Sequence, residues 1–394
     1  MNVSTGLNEI LIAVGALAAV TSSLFFVFTY RGWMRAVRQL PAAGTAEHSS
    51  LRAVSVVIAA HNEEARLPAL LEALTAQEGV RETEAPGGQT RVAWELIIVD
   101  DRSTDRTADI ALSFSDTLPL RVLRVEETPP GVSPKKFALH AGITAARFDA
   151  VLLTDADCVP GPHWIAGMRE AFDASADVVL GLAPLRVPSH AIASGAARYA
   201  AFESRRTMAL SIAAAASGLP YMASGRSWGF TRSVYARCGG LPALYGHLGG
   251  DDDLLLQRMT AAGAQVGTCT RQDAIVFSDA PATWRALWRQ KLRHYRVSAA
   301  YRGRAALLLG VFVAGELLAP LIACALAVLL DGPARLLPPV FWLWKLWYDT
   351  GFLSHAFRWT AGEPRRAALA FREGMHIFLS AFTGFASFVK PSRW

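Results

Sequence analysis

Between residues 51 and 300, short runs of β-branched and aliphatic residues alternate with stretches whose apolar positions recur at helical spacing. Val54–Ala60 is apolar at nearly every position, the pattern of a strand buried on both faces of a parallel sheet. Glu64–Gln77 carries leucines at 67, 70, 71 and 74, which form one stripe on a helix. Glu95–Val99 is the next strand, and Ser103, Thr104 and Asp105 offer N-cap chemistry for a helix after it. Further strands are predicted at 120–125, 150–154 and 178–182. The Gly-, Glu- and Thr-rich stretch 79–92 reads as a surface loop or insertion. This succession predicts an α/β fold with a mostly parallel sheet, whose ligands sit beyond the carboxyl ends of the strands.

Outside that window the pattern is one of long apolar runs. Ile10–Tyr30 carries no charge and is long enough to cross a hydrocarbon core of about 30 Å. Only Glu9 stands just before it, whereas Arg31, Arg35 and Arg38 follow, so it reads as an uncleaved anchor with residue 31 onward in the cytosol. Ala305–Leu330 is a second span, interrupted by Glu316, which is expected to face a helix bundle or an interface. Leu336–Phe357 is a third, with Lys345 and Asp349 spaced to pair on one face. Gly374–Val389 is short and contains His376, so a span and an interfacial helix both fit. The resulting division is a membrane anchor and linker (1–50), a catalytic domain (51–300) and a C-terminal membrane region (301–394).

Composition narrows the classes. Hydrophobic residues make up 52% and charged ones 18%, against about 25% charged in soluble domains. Disorder, a coiled coil and a small disulfide scaffold are excluded. The net charge of +6 is carried by arginines that flank apolar runs rather than by an aromatic-laced patch, so no nucleic-acid partner is expected. Cys158, Cys238, Cys269 and Cys324 are isolated, which supports neither a zinc site nor a disulfide framework and points to a cytosolic catalytic part.

The chemistry lies in three acidic groups. No G-x-G-x-x-G follows the first strand and no P-loop motif occurs, so dinucleotide and P-loop readings lose their support. Instead Asp100-Asp101, Asp155-Ala-Asp157 and Asp251-Asp252-Asp253 stand at strand ends or loops. Carboxylates repel a phosphate directly, but they can hold a base and ribose by accepted hydrogen bonds and a diphosphate through a hard cation. Each group also has an ordinary explanation: an Asx turn for Asp155-Ala-Asp157, a cap for Asp100-Asp101, a helix dipole for one or two of the triplet. His61, Asn62 and Glu63 after the first strand form a polar turn. Lys135 and Lys136 precede Ala138-Leu139, and Gln290, Arg293 and His294 lie on a basic, aromatic helix that leads into the span at Ala305.

Taken in order, these motifs resemble the family 2 glycosyltransferases over about residues 52–300. The resemblance implies a GT-A fold, often with membrane anchors. It places Ala59, His61 and Glu63 along the nucleobase, Asp101 on the base, Asp155 towards the ribose and Asp157 on Mg²⁺ or Mn²⁺. Lys135 matches the lysine before Ala-Leu, and the second residue of the Glu/Asp-Asp motif, the catalytic base, falls at Asp252. Gln290 and Arg293 match Q-x-x-R-W, with His294 in place of tryptophan. Gly225–Phe230 is similar to the acceptor-side segment. The implied activity is inverting transfer from a nucleotide-diphosphate sugar, UDP-linked, to a hydroxyl of a lipid or lipid-linked acceptor at the cell membrane. A processive polysaccharide synthase is the alternative, and a non-catalytic membrane scaffold or transporter ranks behind it.

Overall fold

The computed structural model describes residues 3–38, 53–79, 83–85, 89–91, 94–173, 175–247, 249–330, 332–360, 362 and 366–389. The linker expected before residue 51 lies outside the described residues. The chain opens with α1 (Val3–Arg38), then β1 (Val54–Ala60), α2 (Leu67–Thr75), β2 (Thr83–Ala85), β3 (Gln89–Arg91) and β4 (Trp94–Asp101). α3 (Thr107–Leu112), β5 (Leu120–Val125), α4 (Pro134–Ala145), β6 (Ala150–Leu153), β7 (Cys158–Pro160) and α5 (Trp164–Asp173) follow. Next come β8 (Val178–Gly181), β9 (Leu185–Arg186), α6 (Gly195–Ala216), β10 (Trp228–Thr231), α7 (Arg232–Arg237) and α8 (Asp253–Ala261). The chain continues with β11 (Val266–Cys269), β12 (Val276–Asp279), α9 (Trp284–Ser298), α10 (Gly303–Leu329), α11 (Leu337–Trp359) and α12 (Arg366–Val389).

Seven strands form the central sheet in the order β11-β8-β10-β6-β1-β4-β5. All pairs are parallel except those of β10, which runs against both β6 and β8. Every strand expected from the hydrophobic runs is present. β10 and β11 were not foreseen, because Trp228-Gly-Phe-Thr231 and Val266-Gly-Thr-Cys269 are too short and too mixed to show a period. Alternate β-strand residues face opposite sides: Val56, Ile58, Leu96 and Ile98 pack with α2 and α5, while Val57, Ile97 and Val99 pack with α4 and α6. The stretch read as a surface loop holds a hairpin instead, Thr83–Ala85 against Gln89–Arg91. A short polar ribbon has no apolar alternation from which to read it.

Two described helices are long and apolar enough to cross a membrane, Ile12–Arg38 and Leu309–Leu329. The first runs past the expected end at Tyr30 because its last turns dock on the catalytic domain. Trp33 is fully buried, and its indole N–H donates to His355 Nδ1 at 3.0 Å. A Cβ at Gly32 would stand 2.1 Å from the Ala213 carbonyl, so only glycine lets α1 and α6 approach this closely. The expected third and fourth segments are the helices α11 and α12, which also pack on α6.

Candidate active site

Parallel strands bring the ends of β1, β4 and β6 to one edge of the sheet, and antiparallel β10 brings its beginning there too. That edge gathers the acidic groups. Thr154 Oγ1 donates to the Arg226 carbonyl at 2.8 Å, tying the turn after β6 to the segment before β10.

After β1 and β4 the chain makes two interlaced turns. Asn62 and Arg102 adopt positive φ, 55° and 57°, and the Asn62 side chain accepts from Thr104 N at 2.9 Å. His61 Nδ1 lies 2.5 Å from the Asp101 carbonyl oxygen; a carbonyl only accepts, so Nδ1 carries the proton and Nε2 accepts from the Asn62 amide. His61 therefore braces the two turns. Asp100 is fully buried and takes Ser103 N and the Arg124 guanidinium, which makes it the structural member of its pair. Asp101 is held by Arg102 at 2.8 Å. Of the residues expected to cap α3, Asp105 accepts from Thr107 N at 3.0 Å, but the N-cap position itself is Arg106, whose side chain makes no cap hydrogen bond.

Carboxylate oxygens of Asp155 and Asp157 and the Cys158 sulfur lie within 4.8 Å of one another. Burial, followed by the charges of Asp155 and Asp157, pushes the Cys158 thiol well up, so it stays neutral. The usable donors are hard oxygens, a set that fits Mg²⁺ or Mn²⁺ and not a thiolate metal. Glu63 belongs to the edge of this cluster: burial raises its carboxyl, Arg66 opposes, and Asp157 and Asp155 raise it further.

Lys135 and Lys136 part ways although adjacent. Lys136 is fully buried and donates to the carbonyls of Leu244 and His247 at 2.7 and 2.6 Å. Lys135 Nζ reaches into the site, 2.8 Å from Asp155 Oδ1 and 3.2 Å from Asp251 Oδ2. Gly249 and Gly250 adopt φ of +79° and +74°, a left-handed turn that favours glycine and swings the acidic triplet into the same space. Asp252 accepts from Gly225 N and Asp253 N, both at 2.8 Å. A Cβ on Gly225 would stand 3.3 Å from Asp252 Oδ2 and 3.9 Å from Asp155 Oδ2.

The environment separates two neighbouring carboxylates. Burial works to raise Asp251, but the Lys135 ammonium, backbone hydrogen bonding and the charge of Lys136 together hold the group below the usual range. Burial, then the charge on Asp251, pushes Asp252 up to about 6. Such a split marks acid–base assignments.

On α9, His294 keeps one face towards solvent. The surrounding protein, then Lys291, Arg293 and Arg226, hold its imidazole below the usual range, with Asp251 opposing. Gln290 is half-buried and Arg293 exposed on the same helix. In the segment expected on the acceptor side, Trp228 and Phe230 are core residues of β10, so only Gly225 and Arg226 remain at the site. Tyr301, which sequence reasoning missed, donates from its hydroxyl to Asp253 Oδ2 at 2.7 Å; a tyrosine between a basic helix and an apolar run carries no signal of its own.

Residues 55–235 match the family model described as glycosyl transferase family 2. A dolichyl-phosphate β-glucosyltransferase of Trichomonas vaginalis is 33% identical over 104 residues, 26% of this chain and 30% of that protein. An undecaprenyl-phosphate 4-deoxy-4-formamido-L-arabinose transferase of Pseudomonas paraeruginosa is 34% identical over 130 residues, 32% of this chain and 34% of that protein. The match therefore spans about a third of these relatives' length. The mannosyltransferase PcManGT of Pyrobaculum calidifontis, solved with GDP-Man and Mn²⁺, aligns over 95% of this chain and 99% of its own, with a TM-score of 0.55 and 18% identity. That likeness is one of fold, and the fold is the GT-A type. With the strand ends, the D-x-D turn and the acidic triplet all falling on one edge of such a sheet, the chain carries a glycosyl transferase family 2 domain.

Proposed function

We propose that this protein is a membrane-anchored, inverting glycosyltransferase that moves a sugar from a nucleotide-diphosphate sugar to a hydroxyl of a lipid or lipid-linked acceptor. The observation that carries the reading is the convergence of Asp155, Lys135, Asp251 and Asp252 at one sheet edge. The relatives' names, which include two polyprenyl-phosphate transferases, and the two apolar helices support a lipid acceptor. The domain is anchored by α1 and α10, with α11 and α12 completing the membrane region at the cytosolic face.

Asp101 reads the base, between the turns that Ala59, His61 and Glu63 build. A carboxylate accepts a ring N–H, which uracil offers at N3 and guanine at N1 and which adenine and cytosine lack; this favours a UDP- or GDP-linked donor. Asp155 faces the ribose. Held by Asp157 and Asp155, Mg²⁺ or Mn²⁺ would supply charge stabilisation for the leaving diphosphate. Lys135 and Arg293 add fixed positive charge near that group, and Gln290 and His294 close the cleft from α9. Asp252 takes the proton of the acceptor hydroxyl as its oxygen bonds to the anomeric carbon. The bond from that carbon to the β-phosphate oxygen breaks with its electron pair, and the nucleoside diphosphate departs. Direct displacement from the opposite face inverts the anomeric centre.

The test offers the purified full chain UDP-glucose, UDP-N-acetylglucosamine and GDP-mannose with Mn²⁺ and extracted membrane lipids, then with soluble sugars. One donor should label a lipid with one or a few sugars, as the β-anomer from an α-donor. Labelling of soluble sugars alone, or a long polymer, overturns the acceptor assignment; the polymer would favour a processive synthase.

A further inference from the structure

The end of α9 and the connector that follows it, residues 299–302, pack against the acidic triplet and the glycine turn before it. Val297, at the end of α9, lies where a Cβ on Gly249 would meet it at 2.8 Å, so this helix end backs the turn that delivers the triplet. Tyr301, with 6% of its surface exposed, puts its hydroxyl on Asp253 Oδ2 at 2.7 Å. The other Asp253 oxygen accepts from Ala223 N at 3.1 Å. The Asp253 backbone N–H in turn donates to Asp252 Oδ1 at 2.8 Å, while Gly225 N holds Asp252 Oδ2. Asp253 is thus a wedge: its side chain locks the 223–225 strand-entry segment to the membrane junction, and its backbone aims the neighbouring carboxylate.

We infer that Tyr301 is a positioning residue, whose hydroxyl fixes Asp253 and thereby the orientation of the Asp252 carboxylate relative to the donor. This rests on the proposed role of Asp252. The residue stands just before α10, whose span-like stretch begins at Leu309, so the seating of that helix is transmitted to the base through one hydrogen bond. Without the hydroxyl, Asp253 Oδ2 loses a partner in a buried setting, and an acceptor left unsatisfied there costs enough to shift the turn. None of these hydrogen bonds involves Asp101, Asp155 or Asp157, although Gly225 stands beside Asp155, so nucleotide and metal binding should be spared.

The experiment uses the full chain in lipid bilayers, with the panel donor that gives the highest rate of transfer. Tyr301→Phe keeps the buried ring and should lower kcat about tenfold, with the affinity for UDP or GDP in the presence of Mn²⁺ within about twofold of the parent. Asp253→Asn should show the same split, and the double variant should be no slower than the slower single one, since both act through one contact. Parental kcat in Tyr301→Phe, an equal loss of nucleotide affinity, or additive losses would overturn the inference. Should Tyr301→Phe not fold, Asp253→Asn decides by the same kcat-against-affinity split. Asp252→Asn separates the two levels: if it retains transfer, the assignment of the base fails, and if it is inactive while Tyr301→Phe is unimpaired, only the role of Tyr301 falls.

Discussion

Two acidic clusters in this molecule have opposite characters. One lies largely buried among α6, α10, α11 and α12. There Arg206 holds both oxygens of Glu373 at 2.7 and 2.9 Å and reaches Glu316 at 3.5 Å. Lys345 holds Glu316 at 2.6 Å and Asp349 at 2.5 Å. Each carboxylate of that knot has a cation, and none of the side chains is more than 18% exposed. The other cluster is the open cleft. Lys135 there serves both Asp155 and Asp251, whereas Asp157 has a hydroxyl, Ser278, and a thiol, Cys158, for partners. A buried charge without a partner costs several kcal/mol, so folding completes the pairing inside. At the sheet edge water tolerates the excess negative charge, and a cation with its diphosphate can complete it. The difference separates carboxylates that each have a cation within the fold from carboxylates that have room for a further partner.

Removing that further partner should have the largest effect. Excess chelator, or Asp157→Ala, should bring transfer below detection while the knot keeps the protein folded; full activity in chelator would place the cleft with the knot, as structure only. Asp252→Asn should slow transfer by about 10² to 10⁴, the range of a lost general base, with UDP or GDP binding intact. If Asp251→Asn or Asp253→Asn proves the inactive variant instead, the base is a neighbour.

In the buried cluster the loss should be in stability. Arg206→Met strands Glu373 and should cost about 3–5 kcal/mol, read as a lowered melting temperature; Arg206→Met with Glu373→Leu should recover much of it. A knot variant as stable as the parent would show that these pairs are dispensable. The cleft should also answer to pH. Asp252 must be ionised to accept a proton, and its raised value near 6 means activity is present above that pH and falls about tenfold per unit below it. A flat profile from pH 7 to 5 argues against Asp252. Smallest is the contrast of the adjacent lysines: Lys135→Met should lower transfer about tenfold in a stable protein, while Lys136→Met should mainly lower the melting temperature.

The strands at 54–60, 95–99, 150–154 and 178–182 were legible because burial on both faces leaves a nearly unbroken apolar run in the chain itself, whereas the edge strand at 120–125 showed through β-branched and aliphatic residues spaced by Arg121 and Arg124. Acidic pairs at strand ends were legible for the same reason: a parallel strand ends where its ligand side begins. The pairing of Lys345 with Asp349, and a bundle-facing Glu316, followed from helical spacing and from the cost of a charge in an apolar run. Which lysine serves the cleft and which fills the core was settled by where each points from α4. Neighbours on a helix are about 100° apart, so the two diverge although their local pattern is the same, and only the family resemblance singled out Lys135. Likewise β10, Tyr301 and the joining of Arg206 to Glu373 depend on residues far apart in the chain. Such partners are chosen by packing geometry and by the need to satisfy each buried polar group, and neither condition leaves a periodic mark in the sequence.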